Sequence, residues 1–498
     1  MSLRQLASQT AVYGLSSVIG RALYVLLQPL YTSIFTEFEY GIQSYVFPAI
    51  ALLMVLSTFR LDVAYFRFYD QEPSDRLLST TWLTNAAVAG VLGALLIVAS
   101  PTLAEWSGFP AFPGIYALAG GILLFDALTE LPLAKLRMEQ RPLRFAFVRL
   151  AGICVNIGLT VFWLYVLPRW PAAPPWLGLG LSGISYIFVA TLAASAFSFA
   201  LCLPELRGLR WAIDRALLGR LLRFSAPLVI VGLSYFVNEL IDRQLLPLLW
   251  PGGSIEGFEL NGVYSANYKL AMFLALFTQA FRYGAEPFFF RERAAANARE
   301  KYARVAKYYL VAALVGLLAV ALFMPALSHL LLRQPGYRAG GDVVPILLLA
   351  NLFLGLYYNL SAWYKVSDNT RYGAYVSVGG AVLTLVGNVL LIPRLGFYGC
   401  ALTTLACYAS MCLATYLLGR RHYPIPYELA RMGTYVALSL AAVALYWGLS
   451  PKLGIPVLEL TTHGGTSGDW ATNAALAAGL FAVPTGIMGY SEWRLLRA

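Results

Sequence analysis

Fourteen stretches of the chain stay apolar over about 20 residues or more. They lie at roughly 10–35, 41–61, 78–100, 112–131, 145–167, 178–203, 224–250, 261–283, 306–331, 342–364, 372–392, 396–418, 431–449 and 470–490. A bilayer's hydrocarbon core of about 30 Å takes about 20 helical residues to cross. Only helices and closed barrels satisfy the backbone in lipid, and these runs are too long for barrel strands. The expected fold is an all-α polytopic membrane protein with about 14 transmembrane helices. Charged residues are only 12% of the 498, against about 25% in soluble domains. No loop is long enough to be a domain of its own.

The distribution of charge sets the orientation. With the N-terminus inside, inner loops hold about 25 Lys and Arg and outer loops about five, namely Arg169, Arg333, Arg338, Arg394 and Lys452. That bias is the positive-inside pattern. It places both termini in the cytoplasm, with the chain in the cytoplasmic (inner) membrane. It also explains the net charge of +11 without nucleic acid. The basic inner loops Lys135–Arg144, Arg207–Arg223 and Arg291–Lys307 are expected on the anionic leaflet, where membrane lipids are partners. The first span runs past signal-peptide length without an A-x-A exit, so no cleavable signal is expected.

Several chemistries find no support. Cys154, Cys202, Cys400, Cys407 and Cys412 all fall inside apolar spans, which suits small core residues and not a disulfide framework. His329, His422 and His463 are isolated, so no metal and no cofactor is expected. No G-x-x-x-x-G-K-[ST] loop is present, so the chain is not its own ATPase.

Short sequence matches recur at a six-helix offset. Gly41-Ile42-Gln43-Ser44 and Gly262-Val263-Tyr264-Ser265 open helices 2 and 8, which end in Phe59-Arg60 and Phe281-Arg282. Gly180-Leu181-Ser182-Gly183 and Gly396-Phe397-Tyr398-Gly399 open helices 6 and 12. They suggest two six-helix lobes around a central cavity, a common transporter plan. The division is an N-terminal lobe at 1–203, a cytoplasmic amphipathic linker at 204–223, a second lobe at 224–420 and two added helices at 421–498. The linker segment Trp211–Phe224 is able to lie flat at the membrane surface.

Ionisable groups inside the spans need a reason, because each costs at least ~2.5–3.5 kcal/mol at membrane depth. Helix 7 carries Asn238, Glu239, Asp242 and Arg243, and helix 8 carries Lys269. Glu239 and Arg243 are four apart and can pair on one face. The cluster reads either as ion pairs locking helices 7 and 8 or as a gate or ion-coupling site. Arg21 lies near mid-membrane on helix 1, and suits phosphate through its planar fork. Arg60, Asp62 and Arg67 end helix 2, and Arg282 and Glu286 end helix 8, where snorkelling is cheap. Their matched placement also suits an anionic headgroup arriving at the mouth of a cleft. Asp126 and Glu130 are a weaker candidate for a coupling cation. Tyr13, Tyr24, Tyr235, Tyr264 and Tyr268 either form interface belts or stack on sugar rings.

Glu39-Tyr40-Gly41, Leu61-Asp62, Arg67-Phe68, Pro227, Asp242-Arg243, Gly262–Ala271, Pro287-Phe288 and the run Asn388–Gly399 together resemble the polysaccharide-type flippases. The last of these reads N-x-x-L-I-P-x-x-G-x-x-G. The resemblance covers about residues 1–430. It is similar to the oligosaccharide flippase branch of the multidrug/oligosaccharidyl-lipid/polysaccharide exporter superfamily, 14-helix layout included. It implies a flippase for a polyprenyl-diphosphate-linked oligosaccharide, a cell-surface polysaccharide precursor of O-antigen or lipopolysaccharide type. Transport by alternating access would be driven by an ion gradient or the membrane potential. The related lipid II flippases use cavity arginines on helices 1, 2 and 8. Arg21 matches by helix only, and helix 8 offers Lys269 instead. The expected substrate cations are Arg21, Lys269, Arg60 and Arg282, and the gate or coupling set is Glu239, Asp242, Arg243 and Asp62. The working unit is expected to be a monomer, with a polymerase or glycosyltransferases as candidate partners. Two alternatives remain. One is a cation-coupled drug exporter of the same superfamily, which usually has 12 helices. The other is a membrane glycosyltransferase or polymerase using Glu37 and Glu39.

Overall fold

The computed structural model describes residues 20, 23–171, 174–179, 181, 183–293, 295–449 and 465–497. Among them the long helices are α1 (Leu23–Ile34), α2 (Glu37–Phe68), α3 (Ser74–Val98), α4 (Ile115–Met138), α5 (Pro142–Arg169), α6 (Ser185–Leu206) and α7 (Arg215–Leu240). They continue as α8 (Ser254–Arg291), α9 (Ala298–Leu322), α10 (Val343–Val366), α11 (Arg371–Leu395), α12 (Phe397–His422), α13 (Leu429–Leu449) and α14 (Ser467–Arg497). Twelve of these are long and apolar enough to cross a membrane. Of the other two, α1 is described over fewer residues and α8 carries the most charge. The all-helical, many-span architecture is the expected one. The chain divides into two compact units, 1–30 with 34–261 and 31–33 with 262–498.

In the first unit, helices approach through small residues and hydrogen bonds, since lipid supplies no hydrophobic drive between them. A methyl on Gly120 would stand 2.6 Å from the Gly93 carbonyl oxygen, so α3 and α4 are in backbone contact there. Asn85 Nδ2 donates to the Ala127 carbonyl at 2.6 Å and Trp82 Nε1 to that of Leu128 at 3.1 Å. Leu61, Tyr65, Leu77, Leu78, Leu131, Leu217 and Leu221 form a buried core where α2, α3, α4 and α7 meet.

Two local features differ from the sequence reading. Helix α2 does not end at Arg60. Phe59 and Arg60 turn left-handed, at φ 44° and 56°, and the helix resumes over Leu61–Phe68. Trp211–Phe224 does not form a surface helix of its own. Arg215–Phe224 is the first part of α7, whose start is capped by Asp214 Oδ1 accepting from the Leu217 N–H at 2.8 Å.

In the second unit, α11 and α12 are joined by the single residue Gly396, at φ 57° and ψ −132°. A side chain rarely adopts that conformation. A methyl on Gly399 would lie 2.7 Å from the Leu391 carbonyl. The glycines of the Asn388–Gly399 run therefore have a steric cause. Helices α13 and α14 are tied in by polar contacts, Tyr446 to Asn473 at 2.6 Å and an ion cluster around Lys307. Cys202, Cys400, Cys407 and Cys412 are buried and Cys154 is exposed, all as free thiols.

Candidate functional site

The first charged group of the N-terminal unit surrounds the break in α2. Left-handed backbone costs a non-glycine residue roughly 1–2 kcal/mol, and here two such residues stand in sequence. The break turns Arg60 out of the α2 register. Its Nε is enclosed and has no hydrogen-bond acceptor, and a methyl on Gly232 of α7 would sit 3.7 Å from its Cδ. Asp62 is 9% exposed, with Arg60 and Arg137 as cationic neighbours and Glu130 as an acidic one. Arg137 lies 3.7 Å from Glu130 and stacks over Phe66 at 4.8 Å, and Arg149 reaches Glu130 at 4.0 Å. Asp126, one turn before Glu130, hydrogen-bonds Ser195. Sequence reasoning had not connected Arg137 and Arg149 with Asp62 and Glu130, because α4 and α5 approach α2 only in the folded unit.

The second group is at the end of α7. The helix pauses at Ile241 and continues as Asp242–Leu249. Asp242 Oδ1 accepts from the Arg243 backbone N–H at 2.8 Å, and Arg243 Nη1 donates to the Glu239 carbonyl at 2.9 Å. The guanidinium is 3.5 Å from Asp242 Oδ1. Arg243 is thus held by the Glu239 backbone oxygen and faces the Asp242 carboxylate, a different arrangement from the carboxylate–guanidinium pairing expected between positions 239 and 243. Asp242 and Arg243 are 4% and 8% exposed, so their charges sit in a low-dielectric setting. Asn238 is buried beside them in sequence.

In the second unit, Arg282 lies over the Tyr358 ring at 4.0 Å and 3.6 Å from Glu286. Lys365 donates to Glu286 at 2.7 Å. Arg282 Nε, like Arg60 Nε, is enclosed without an acceptor. The two arginines occupy corresponding places in the sequence repeat. Lys269 is half-buried on α8, in a stretch where Tyr264, Ser265, Asn267 and Tyr268 are buried. Tyr264 and Tyr268 meet edge to face at 6.0 Å, whereas Tyr24 and Tyr235 are exposed. Arg21 and Tyr13 lie outside the described residues.

Other charges are committed to the scaffold. Glu39 closes a capping box with Thr36 at the start of α2, a pattern legible as T-x-x-E. Glu205 is 4% exposed, accepts from Arg144 at 3.3 Å, and lends its carbonyl to Lys135 at 2.8 Å. Part of the basic loop Lys135–Arg144 is therefore engaged within the protein. Among the described residues no group of three His, Cys, Asp or Glu is placed to hold a metal ion.

The family model for polysaccharide biosynthesis proteins matches residues 6–282. Among solved structures, lipid II flippase MurJ in an inward closed conformation matches with a TM-score of 0.74 and 11% identity, over 98% of this chain and 99% of that one. A multidrug resistance MATE family transporter of the MOP superfamily, inward-facing, matches at 0.57 and 15% identity, over 84% and 94%. The Vibrio cholerae MATE transporter VcmN matches at 0.56 and 13% identity, over 85% and 98%. No curated protein matches the chain. At these identities the structural likeness is one of fold.

Proposed function

The chain belongs to the polysaccharide biosynthesis protein family, and on that premise we propose that it flips a polyprenyl-diphosphate-linked oligosaccharide across the cytoplasmic membrane. The observation that carries this reading is the matched pair of arginines. Arg60 and Arg282 each keep an enclosed guanidinium N–H with no acceptor. With Nε closed off in both, the terminal Nη groups are the ones proposed to meet a diphosphate oxygen, the acceptor that a planar guanidinium fork fits best. Lys269 and Arg21 add cationic character along α8 and the first span. Asp242, Arg243, Glu239 and Asp62 form the gate or coupling set, because buried ion pairs that exchange partners can distinguish two states. Substrate shifts an equilibrium between inward- and outward-open states only by its differential affinity for them. Net transport then draws on an ion gradient or the membrane potential. The fold and family are those of transporters, and the chain is proposed to act without catalysis.

The test is mass spectrometry of polyprenyl-linked intermediates in cells depleted of the protein. The expected result is build-up of a lipid-diphosphate saccharide that an added periplasmic glycosidase cannot reach. Sensitivity to cationic drugs without such build-up would assign a drug-exporting role instead.

A further inference from the structure

Where α3 begins, Pro73–Arg76, Ser79 and Thr80 line an open recess of about 510 Å³ together with Arg210 and Ala212–Asp214. Under the orientation set by the Lys/Arg bias this end is cytoplasmic. The segment Arg210–Asp214 is pinned to α3 at two points. The Arg210 N–H donates to Ser79 Oγ at 2.7 Å and the Asp214 N–H to Thr80 Oγ1 at 3.2 Å. Ser79 and Thr80 lie more than a turn inside α3, roughly 8–9 Å along its axis at 1.5 Å per residue. The segment therefore climbs the flank of α3 and does not lie beneath its end. Trp211 stands between the two pins and is 82% exposed. A tryptophan at that height belongs to the membrane–water boundary.

The recess carries both signs of charge in equal number. Arg76 Nε donates to Asp214 at 2.7 Å and Arg210 reaches Asp75 at 3.4 Å. Arg76, Arg210 and Asp75 have side chains about half exposed or more, at 48%, 73% and 50%. The Arg210–Asp75 pair, exposed on both sides, is weak and opens readily, whereas Arg76 grips Asp214 through two nitrogens. A purely anionic headgroup would meet two carboxylates here, and a purely cationic one would meet two guanidinium groups. A headgroup with a phosphate and a primary ammonium satisfies both, the phosphate on the arginine forks and the ammonium N–H groups on Asp75 and Asp214. A choline headgroup has no N–H to give.

We propose that this recess binds the headgroup of a phosphatidylethanolamine, with Trp211 inserted beside it at the acyl boundary. This site is separate from the transport reading and independent of it.

The purified full-length protein is exchanged with an equimolar mixture of phosphatidylethanolamine, phosphatidylcholine and phosphatidylglycerol, and the retained lipids are read by native mass spectrometry. Phosphatidylethanolamine is expected at least fivefold above each of the others, and Asp75→Asn with Arg210→Gln is expected to abolish that preference. Both side chains are exposed, so folding is retained. With Cys154→Ser in place, so that no other exposed thiol among the described residues competes, a nitroxide attached through Trp211→Cys is expected to respond to oxygen in the bilayer more than to a water-soluble relaxant. Equal retention of the three lipids overturns the proposal. So does an excess of phosphatidylglycerol, an unchanged preference in the double variant, or a spin label that reports bulk water.

Discussion

Lys307 Nζ stands 3.1 Å from Glu492 Oε2, a contact that joins α9 to α14. The same ammonium lies 2.9 Å from Glu428, and Tyr435 donates to Glu492 at 2.8 Å. Lys307 and Glu492 are 5% and 7% exposed. The sequence placed Lys307 in a basic surface loop. In the fold it is a buried fastener for the two added helices.

Removing one side of that contact strands a charge. Lys307→Met is expected to cost about 3 kcal/mol, the low end for breaking a buried pair. Lys307→Met with Glu492→Gln should cost less than the two singles summed, because neither charge is then left alone. Thermal unfolding of the purified protein reads both. Strict additivity would show that the pair is not coupled.

Substitutions at Arg60 are expected to separate stability from transport. Arg60→Gly relieves left-handed strain and is expected to stabilise the protein by about 1 kcal/mol, while saccharide transfer falls at least tenfold. Arg60→Ala keeps the strain and should lose transfer without that gain. If Arg60→Gly transports normally, the residue is not a substrate contact.

The glycines of α11 and α12 make opposite predictions. Gly399→Ala pushes a methyl to 2.7 Å from the Leu391 carbonyl and should cost about 1–3 kcal/mol by overpacking. Gly379→Ala, where a methyl meets nothing within 4 Å, should instead stabilise by about 0.5–1 kcal/mol through helix propensity. Melting temperatures of the two variants should move in opposite directions.

Two carboxyls outside the spans predict the acid limit. The Leu217 N–H, and then Arg76, hold the Asp214 carboxyl below its usual range. Lys307 does the same for Glu428, with Arg431 adding to it against the opposing effect of burial. A depressed folded pKa gives stability that is full above the unfolded value of about 4 and is lost as pH falls through the lower folded one. Stability should thus be flat with respect to these groups from neutral pH to about 5 and decline below it. Asp214→Asn should make that acid decline shallower. An unchanged slope in a pH series of unfolding would contradict the assignment.

The membrane architecture was legible because span length and hydropathy are local properties. Any apolar run of about 20 residues must satisfy its own backbone as a helix, wherever its neighbours lie. The glycines of Asn388–Gly399 were legible as a motif, and the turn at Gly396 gives them a cause. Thr36 and Glu39 also carry a local signal, the capping box.

Tertiary structure decided what the charges do. Lys307 and Glu205 look like ordinary charged residues at the ends of apolar spans until helices distant in sequence enclose them. Arg60 looked like a helix end, and the left-handed break that leaves its Nε without an acceptor has no one-dimensional signature. The physical reason is common to all three. Hydrophobic length acts residue by residue along the chain, whereas the cost of a buried charge depends on which partners the fold brings within about 4 Å. The sequence determined that these helices cross a membrane and supplied the charges. Only the packing of the helices within each unit determined which charges are spent on holding it together.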